Sequence, residues 1–481
     1  MNTEISNILF NFLPELTLAA TVIILNISEV KPGLSKSYGK WIVLAGFLAA
    51  IFTAAIQAYS APQFLFGGMW INDHFSYGAK LIILSAGLLI FLTAGKNDSS
   101  QYSAMILSTI GAASAVSSAN LAMLFVSLEV MSIPLLMLLG GSIRLRIKYF
   151  VYSAAAPAMF LFGISLLYGL GGSMDYTAIA RTFSLGGVNT LTLAAAMILV
   201  LAGLFFKAGL PLFNFIIPYS AKDSSYSTIG FLLISSALAS VFALARFHVT
   251  AFHDYNSFIL GTGTYLFTEG VDLKLLAAII SAAAIITGNF VMLWQHDLKR
   301  ILVFFTISQS GLLAAALSAS SPEGTTALLF YSIVFVLNSG GMLYLFRLVE
   351  QTYGFTRLEE LRSLAVSSPF ISAAIMIFAA SAIGLPITAG FTGRLICYSA
   401  LANSGLSWLA GLSILSSLAM IYFVFKLSRL LYSKSNISAA IKSETLSTII
   451  LLLLLLITIA AGVFASPFYN WAKYCSILIP N

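Results

Sequence analysis

Glu129 stands in the middle of an apolar run, in Leu128-Glu129-Val130-Met131-Ser132-Ile133-Pro134, and Lys207 stands in another, in Phe205-Phe206-Lys207-Ala208. Burying a charge alone at such a place costs roughly a few kcal/mol, so each side chain is expected to face the interior and find a partner. Burial draws a lysine's pKa down towards neutrality, and a nearby carboxylate draws it up again. Moving the carboxylate away would then release the proton, which makes such a pair a proton carrier. The same two residues also fit a structural ion pair that locks two helices together.

Other ionisable residues are placed less tellingly. Lys148 opens the next apolar run, where a lysine can snorkel to the interface. Arg394 lies within a later run, and a guanidinium can hold a carboxylate or a water but cannot relay protons. His296, Lys299 and Arg300 form a polar cluster before another run, read as a solvated loop or, less plainly, as a place that collects protons. Glu15 is expected to be interfacial. Cys397 and Cys475 match no metal or redox spacing, and His74, His248, His253 and His296 are scattered. We find no phosphate-binding glycine loop or hydrolytic triad, so no catalytic, cofactor-binding or metal-ligating residue is expected in this chain.

The elements that must hold these side chains are membrane spans. Of the 481 residues, 59% are hydrophobic and 9% charged, and the mean hydropathy is +0.97. A soluble domain would carry far more surface charge. The net charge of +7 raises the possibility of nucleic-acid binding, but the basic residues lie in short loops between apolar runs, which is how membrane topology is written.

Apolar runs fall near residues 7–27, 41–59, 77–95, 102–117, 121–140, 149–170, 190–210, 227–247, 273–294, 301–319, 325–348, 366–386, 406–426 and 445–466. Their lengths suit helices rather than barrel strands. The first run lacks a basic flank and a small-residue cleavage site, so it is read as a retained helix rather than a signal peptide. Seventeen of the 24 Lys and Arg residues fall in the loops after odd-numbered runs. The positive-inside rule then puts those loops in the cytoplasm and both termini outside.

Two runs are interrupted. Gly209-Leu210-Pro211 breaks the seventh and Gly384-Leu385-Pro386 the twelfth, and proline removes a helical donor in each. Runs 4–8 and 9–13 form two sets of five with both breaks in the fourth helix, and an odd number inverts the second set. Paired broken helices in inverted repeats point towards a transporter with its pathway at the breaks, although two ordinary proline kinks would look the same.

The stretch from Asn120 through Leu-Ala-Met-Leu-Phe-Val-Ser-Leu-Glu129-Val-Met-Ser-Ile-Pro134 resembles the fifth helix of the antiporter-like subunit N group of proton-pumping NADH:quinone oxidoreductase, respiratory complex I. Gly384-Leu-Pro-Ile-Thr-Ala-Gly-Phe-Thr-Gly393-Arg394 resembles that group's broken twelfth helix, and Asp297-Leu-Lys-Arg-Ile-Leu with Thr306-Ile-Ser-Gln-Ser-Gly311 its tenth. Leu13-Pro14-Glu15 and Ile147-Lys148-Tyr149 fit as well.

The resemblance implies an all-α polytopic protein of about fourteen transmembrane helices. Residues 1–100 would hold helices 1–3, 101–250 and 270–430 the two inverted five-helix repeats, and 440–481 the last helix and tail. It also implies a proton-translocating membrane-arm subunit of a bacterial inner-membrane complex, with both termini periplasmic. Its partners would be other membrane-arm subunits, lipids and protons, with no nucleic acid. Quinone, flavin and iron–sulfur clusters would belong to partner subunits. Glu129 would be the ion-pair carboxylate, Lys207 the switching lysine, Lys148 a further member of the polar axis, and Arg394 an electrostatic one.

The sequence also departs from the family. After the seventh-helix lysine it reads Asn214-Phe-Ile-Ile-Pro218-Tyr, without the family's histidine, tryptophan and first aspartate. Ala237, Gln309 and Arg394 stand where the family has a lysine, a histidine and a lysine. These replacements leave two further readings open: a membrane-arm subunit that conducts no protons, or a subunit of a related cation/proton antiporter or membrane-bound hydrogenase.

Overall fold

The computed structural model describes residues 8–30, 35–58, 60–95, 98–185, 189–210, 217–262, 273–433 and 445–477. Almost every described element is a helix. In chain order these are α1 (Leu13–Val30), α2 (Ser35–Gln57), α3 (His74–Leu92), α4 (Ser99–Val116), α5 (Leu121–Leu138), α6 (Ile143–Gly171) and α7 (Tyr176–Ser184). They continue with α8 (Thr190–Lys207), α9 (Ile217–Ala221), α10 (Tyr226–Gly230), α11 (Ser236–Thr262), α12 (Leu273–Met292), α13 (Leu298–Ser318) and α14 (Pro322–Phe335). Last come α15 (Gly341–Tyr353), α16 (Leu364–Ser367), α17 (Pro369–Ile383), α18 (Ala389–Asn403), α19 (Ser407–Leu431), α20 (Thr445–Val463) and α21 (Ala465–Cys475). One hairpin, β1 (Gln63–Leu65) and β2 (Trp70–Asn72), pairs antiparallel between α2 and α3.

Among the described residues, eleven helices are long and apolar enough to cross a membrane, and the helices Leu13–Ser28 and Pro369–Ile383 are shorter but apolar. The protein is therefore a multi-pass membrane protein. Many spans expose large apolar residues, such as Phe52, Val151, Leu191, Leu415 and Phe425, as surfaces meant for lipid or neighbouring subunits do. Two pairs of consecutive helices run on through π-helical turns: Phe231–Ser235 follows α10 and leads into α11, and Val336–Gly340 follows α14 and leads into α15.

The chain forms two compact units. Unit 1 comprises Met1–Gly209, Ser235–Leu276 and Tyr474–Asn481; unit 2 comprises Leu210–Ile234 and Ala277–Lys473. In unit 1 the starts of α1, α3 and α5 gather at one end. The amide of Asn72 donates to the Asn11 carbonyl at 2.8 Å, Trp70 bridges to Ser118, and Asn120 donates to Asp175 at 2.5 Å. Asp73 caps α3 by accepting from the Ser76 amide, and Asn120 caps α5 by accepting from the Ala122 amide. In unit 2, Asp297 caps α13 by accepting from the amides of Lys299 and Arg300.

Candidate functional site

Two close helix approaches in unit 1 set the position of the Glu129 and Lys207 side chains. At Gly111 of α4, an added Cβ would lie 2.2 Å from the Met131 amide nitrogen and 2.7 Å from the Ser127 carbonyl oxygen, so α5 presses directly on α4 beside Glu129. At Gly203 of α8, an added Cβ would lie 2.7 Å from Phe160 Cβ of α6. Only a residue without a side chain permits either approach. Between these two contacts α5 and α8 carry the pair.

Lys207 is the last residue of α8 and sits at its carbonyl end, where the helix dipole favours a cation. Its Nζ lies 2.7 Å from Glu129 Oε1, donates to Ser132 Oγ at 2.7 Å and reaches the Leu128 carbonyl at 3.3 Å. The side chains are 7% and 21% exposed, so this is a partly desolvated pair whose carboxylate keeps one accessible face. Ser132 also donates to the Leu128 carbonyl at 2.8 Å, which ties the lysine's two neutral acceptors to one turn of α5. All three ammonium hydrogens therefore have a destination within that turn.

The helix stops at the lysine, with Ala208 as its C-terminal cap. Gly209 has φ +72°, a backbone conformation that glycine adopts freely. Pro211, the other half of this break, lies outside the described residues. Lys148 does not join the pair: it is exposed near the start of α6.

Unit 2 contains the second break. α17 ends at Ile383, Gly384 takes φ +90°, Pro386 lies in the turn, and α18 resumes at Ala389. Arg394 folds back over this turn. Its Cδ would be 2.9 Å from a Cβ on Gly384, one guanidinium nitrogen donates to the Ala382 carbonyl, and Nη1 lies 3.5 Å from the Tyr398 hydroxyl. Tyr398 continues to Ser413 at 3.0 Å. Gln309 is fully buried and accepts from the Tyr331 hydroxyl at 2.7 Å. Alongside, Ser308 donates to Asn289 at 2.6 Å and Asn289 donates to Ser416 at 2.9 Å. In the π-helical turn, Asn338 is fully buried and neither of its amide atoms has a hydrogen-bond partner among the described residues. Around this break, the described groups are thus neutral hydrogen-bonding side chains beside the Arg394 guanidinium.

At the α13 end of unit 2, Lys299 pairs with Glu350 at 3.3 Å and lies over the Tyr226 ring, while His296 meets Glu359 at 2.6 Å on the surface. Ala237 in α11 is fully buried and offers only a methyl group.

Unit 1 buries four further charged residues, of which the sequence reading missed three, Asp73, Lys80 and Arg246, and misplaced the fourth, Glu15. Arg246 of α11 grips Asp73 with two contacts, of 2.6 and 3.1 Å, and also donates to the Val116 carbonyl at 2.6 Å and to Ser76 at 2.8 Å. Lys80 of α3 meets Glu15 of α1 at 2.8 Å, with side chains 0% and 6% exposed, and donates to Asn72 at 3.0 Å. Glu15 is therefore a buried partner rather than an interfacial residue. The signal was available: Lys80 and Arg246 each stand inside an apolar run, as Lys207 does. Among the described residues, no group of three or more His, Cys, Asp or Glu is arranged to hold a metal ion.

Comparison with known proteins agrees with this architecture. The chain is 28% identical over 487 residues to NADH-quinone oxidoreductase subunit N of Chlorobium chlorochromatii, covering 96% of this chain and 94% of that one. Its fold is similar to a chain of respiratory complex I from Thermus thermophilus, with TM-score 0.78, 23% identity, and coverage of 95% of this chain and 98% of that one. It is also similar to a chain of the membrane-bound sulfane sulfur reductase, an archaeal respiratory membrane complex, with TM-score 0.81, 22% identity, and coverage of 97% and 96%. A chain of the Mrp complex from a Dietzia species matches with TM-score 0.79, 18% identity, and coverage of 99% and 97%. The sequence model described as NADH:quinone oxidoreductase/Mrp antiporter, TM matches residues 118–421, a span that holds Glu129, Lys207 and Arg394, and the chain belongs to that family.

Proposed function

We propose that this chain is an antiporter-like membrane-arm subunit of a bacterial complex I, comparable to subunit N, and that it moves protons across the inner membrane as neighbouring subunits reduce quinone. The observation that carries this reading is the Lys207–Glu129 contact of 2.7 Å at the end of a broken helix, within the part of the chain that matches the family. Lysine can give up its proton when its carboxylate partner withdraws, and Ser132 and the Leu128 carbonyl hold the amine in place meanwhile. Lys148 would supply protons from its exposed position, and Arg394 would set a fixed potential. The organisation in this reading is three helices, two inverted five-helix repeats and one last helix. Both termini are periplasmic, and quinone, flavin and iron–sulfur clusters belong to partner subunits.

A second reading is favoured by Ala237, Gln309 and Arg394, a methyl, an amide and a guanidinium where titratable groups would be expected: a subunit that supports the membrane arm without conducting. Tagging the chain and identifying what co-purifies tests the assembly directly. Quinone-oxidoreductase subunits in the eluate support the first two readings. Hydrogenase or multi-subunit antiporter components alone would replace both.

A further inference from the structure

The charges that unit 1 buries where α1 and α3 begin differ in how firmly they are held. The Asp73 carboxylate accepts from the Ser76 amide and hydroxyl, both at 2.8 Å, and from two nitrogens of Arg246. Arginine does not deprotonate at accessible pH, so this pair is permanently ionised. Beyond its 2.8 Å contact with Lys80, Glu15 takes no hydrogen bond from any described residue on either oxygen. The Lys80 ammonium has Glu15, Asn72 at 3.0 Å and the Trp70 ring centroid at 4.8 Å. Asn72 also accepts from Ser117 and Trp70, so its carbonyl oxygen has little to spare for the lysine.

We propose that Lys80 and Glu15 form a second proton-exchanging pair, at the end of unit 1 where α1, α3 and α5 begin, with Asp73–Arg246 as the fixed charges that position it. This rests on the proton-translocating reading above. Lys80 lies six residues past His74, roughly 9 Å along the helix, within reach of a short water file to that end. In the exchange step the Lys80 ammonium gives its proton to the Glu15 carboxylate, leaving a neutral amine and a neutral acid. Glu15 then releases the proton to water at the end of the unit, and Lys80 takes another from water on its inner side. Neither Glu15 oxygen is held by a further donor among the described residues, so no other contact fixes it as the carboxylate.

The test uses the assembled complex in proteoliposomes and compares protons moved per electron in the native protein, Lys80→Arg, Lys207→Ala and the combination. Arginine keeps the charge and the contact with Glu15 but cannot release the proton. The expected result is that Lys80→Arg lowers the ratio as far as Lys207→Ala does and that the combination falls no further. A native ratio in Lys80→Arg beside a lowered one in Lys207→Ala overturns this inference alone. Native ratios in both overturn the translocating reading itself. Should Lys80→Arg not assemble, the double variant Lys80→Met with Glu15→Leu removes both charges. A lowered ratio in that variant supports the exchange. A native ratio, or renewed failure to assemble, makes the pair a folding clasp and overturns it.

Discussion

Arg246 reaches from α11 to Asp73 at the head of α3 through two contacts, of 2.6 and 3.1 Å, while its Nε donates to the carbonyl of Val116 at the tail of α4. One side chain thus ties three helices of unit 1. Removing one member of such a pair leaves the other charge buried and unpaired, a loss of about 3–5 kcal/mol. Asp73→Ala and Arg246→Ala are each expected to reduce the amount of folded chain in the membrane sharply. The combination should lose less than the sum of the two, a deficit that a double-mutant cycle on thermal stability would read out.

The helix approaches beside the Glu129–Lys207 pair are equally specific. Gly203→Val would drive a branched side chain into Phe160, where even a Cβ would stand 2.7 Å away. Overpacking of this kind costs about 1–3 kcal/mol and pushes the helices apart. The expected outcome is a lowered melting temperature together with lowered proton pumping, since Lys207 lies one turn further along the same helix. Gly169→Ala, at a position where an added Cβ meets nothing within 4 Å, is the control and should change neither.

Arg394 should not tolerate lysine. Its guanidinium spans from the Ala382 carbonyl to the Tyr398 hydroxyl, and a single ammonium cannot make that planar fork. Arg394→Lys is expected to loosen the turn at Gly384, measurable as faster hydrogen exchange in 384–390. Its effect on protons pumped per electron should be smaller than that of Lys207→Ala, because a guanidinium supplies potential and carries no proton.

At the surface, burial is the largest single influence on the Glu359 carboxyl and raises it, but the hydrogen bond to His296, a backbone hydrogen bond and the charges of His296 and Lys426 together hold it below its ordinary value of 4.5. A depressed folded value means that the contact's stabilisation is fully present above 4.5 and is lost as pH falls through the lower folded value. Glu359→Gln should remove that acid-side dependence from local opening of the 358–361 turn, followed by hydrogen exchange between pH 5 and about 3.

Much of this was legible in the chain because lipid makes strict demands. Apolar runs of span length became helices, and glycine–proline interruptions mark where α8 and α17 end, since Gly209 and Gly384 turn the backbone to positive φ and a proline two residues on offers no amide hydrogen to the ladder. Glu129 and Lys207 stood out because a charge in an apolar run demands a partner. The same reasoning applied to Lys80 and Arg246, yet their partners, Glu15 and Asp73, sit at helix starts, where a carboxylate reads as a cap or an interfacial group. Only the tertiary packing shows Glu15 turned inward. The two π-helical turns left no composition signal, because each inserts a residue into a helix without changing its character. The exposed place of Lys148 near the start of α6 fits the interfacial reading of that lysine, not the place on the polar axis that the resemblance implied.

The central claim is that Lys207 carries a proton in exchange with Glu129. The most direct measurement is protons translocated per electron by the assembled complex carrying Lys207→Arg, which keeps the positive charge beside Glu129 but cannot release it. The account predicts normal assembly and a lowered ratio, similar to that of Lys207→Ala. A native ratio in Lys207→Arg would contradict it and leave the pair as a structural lock between α5 and α8.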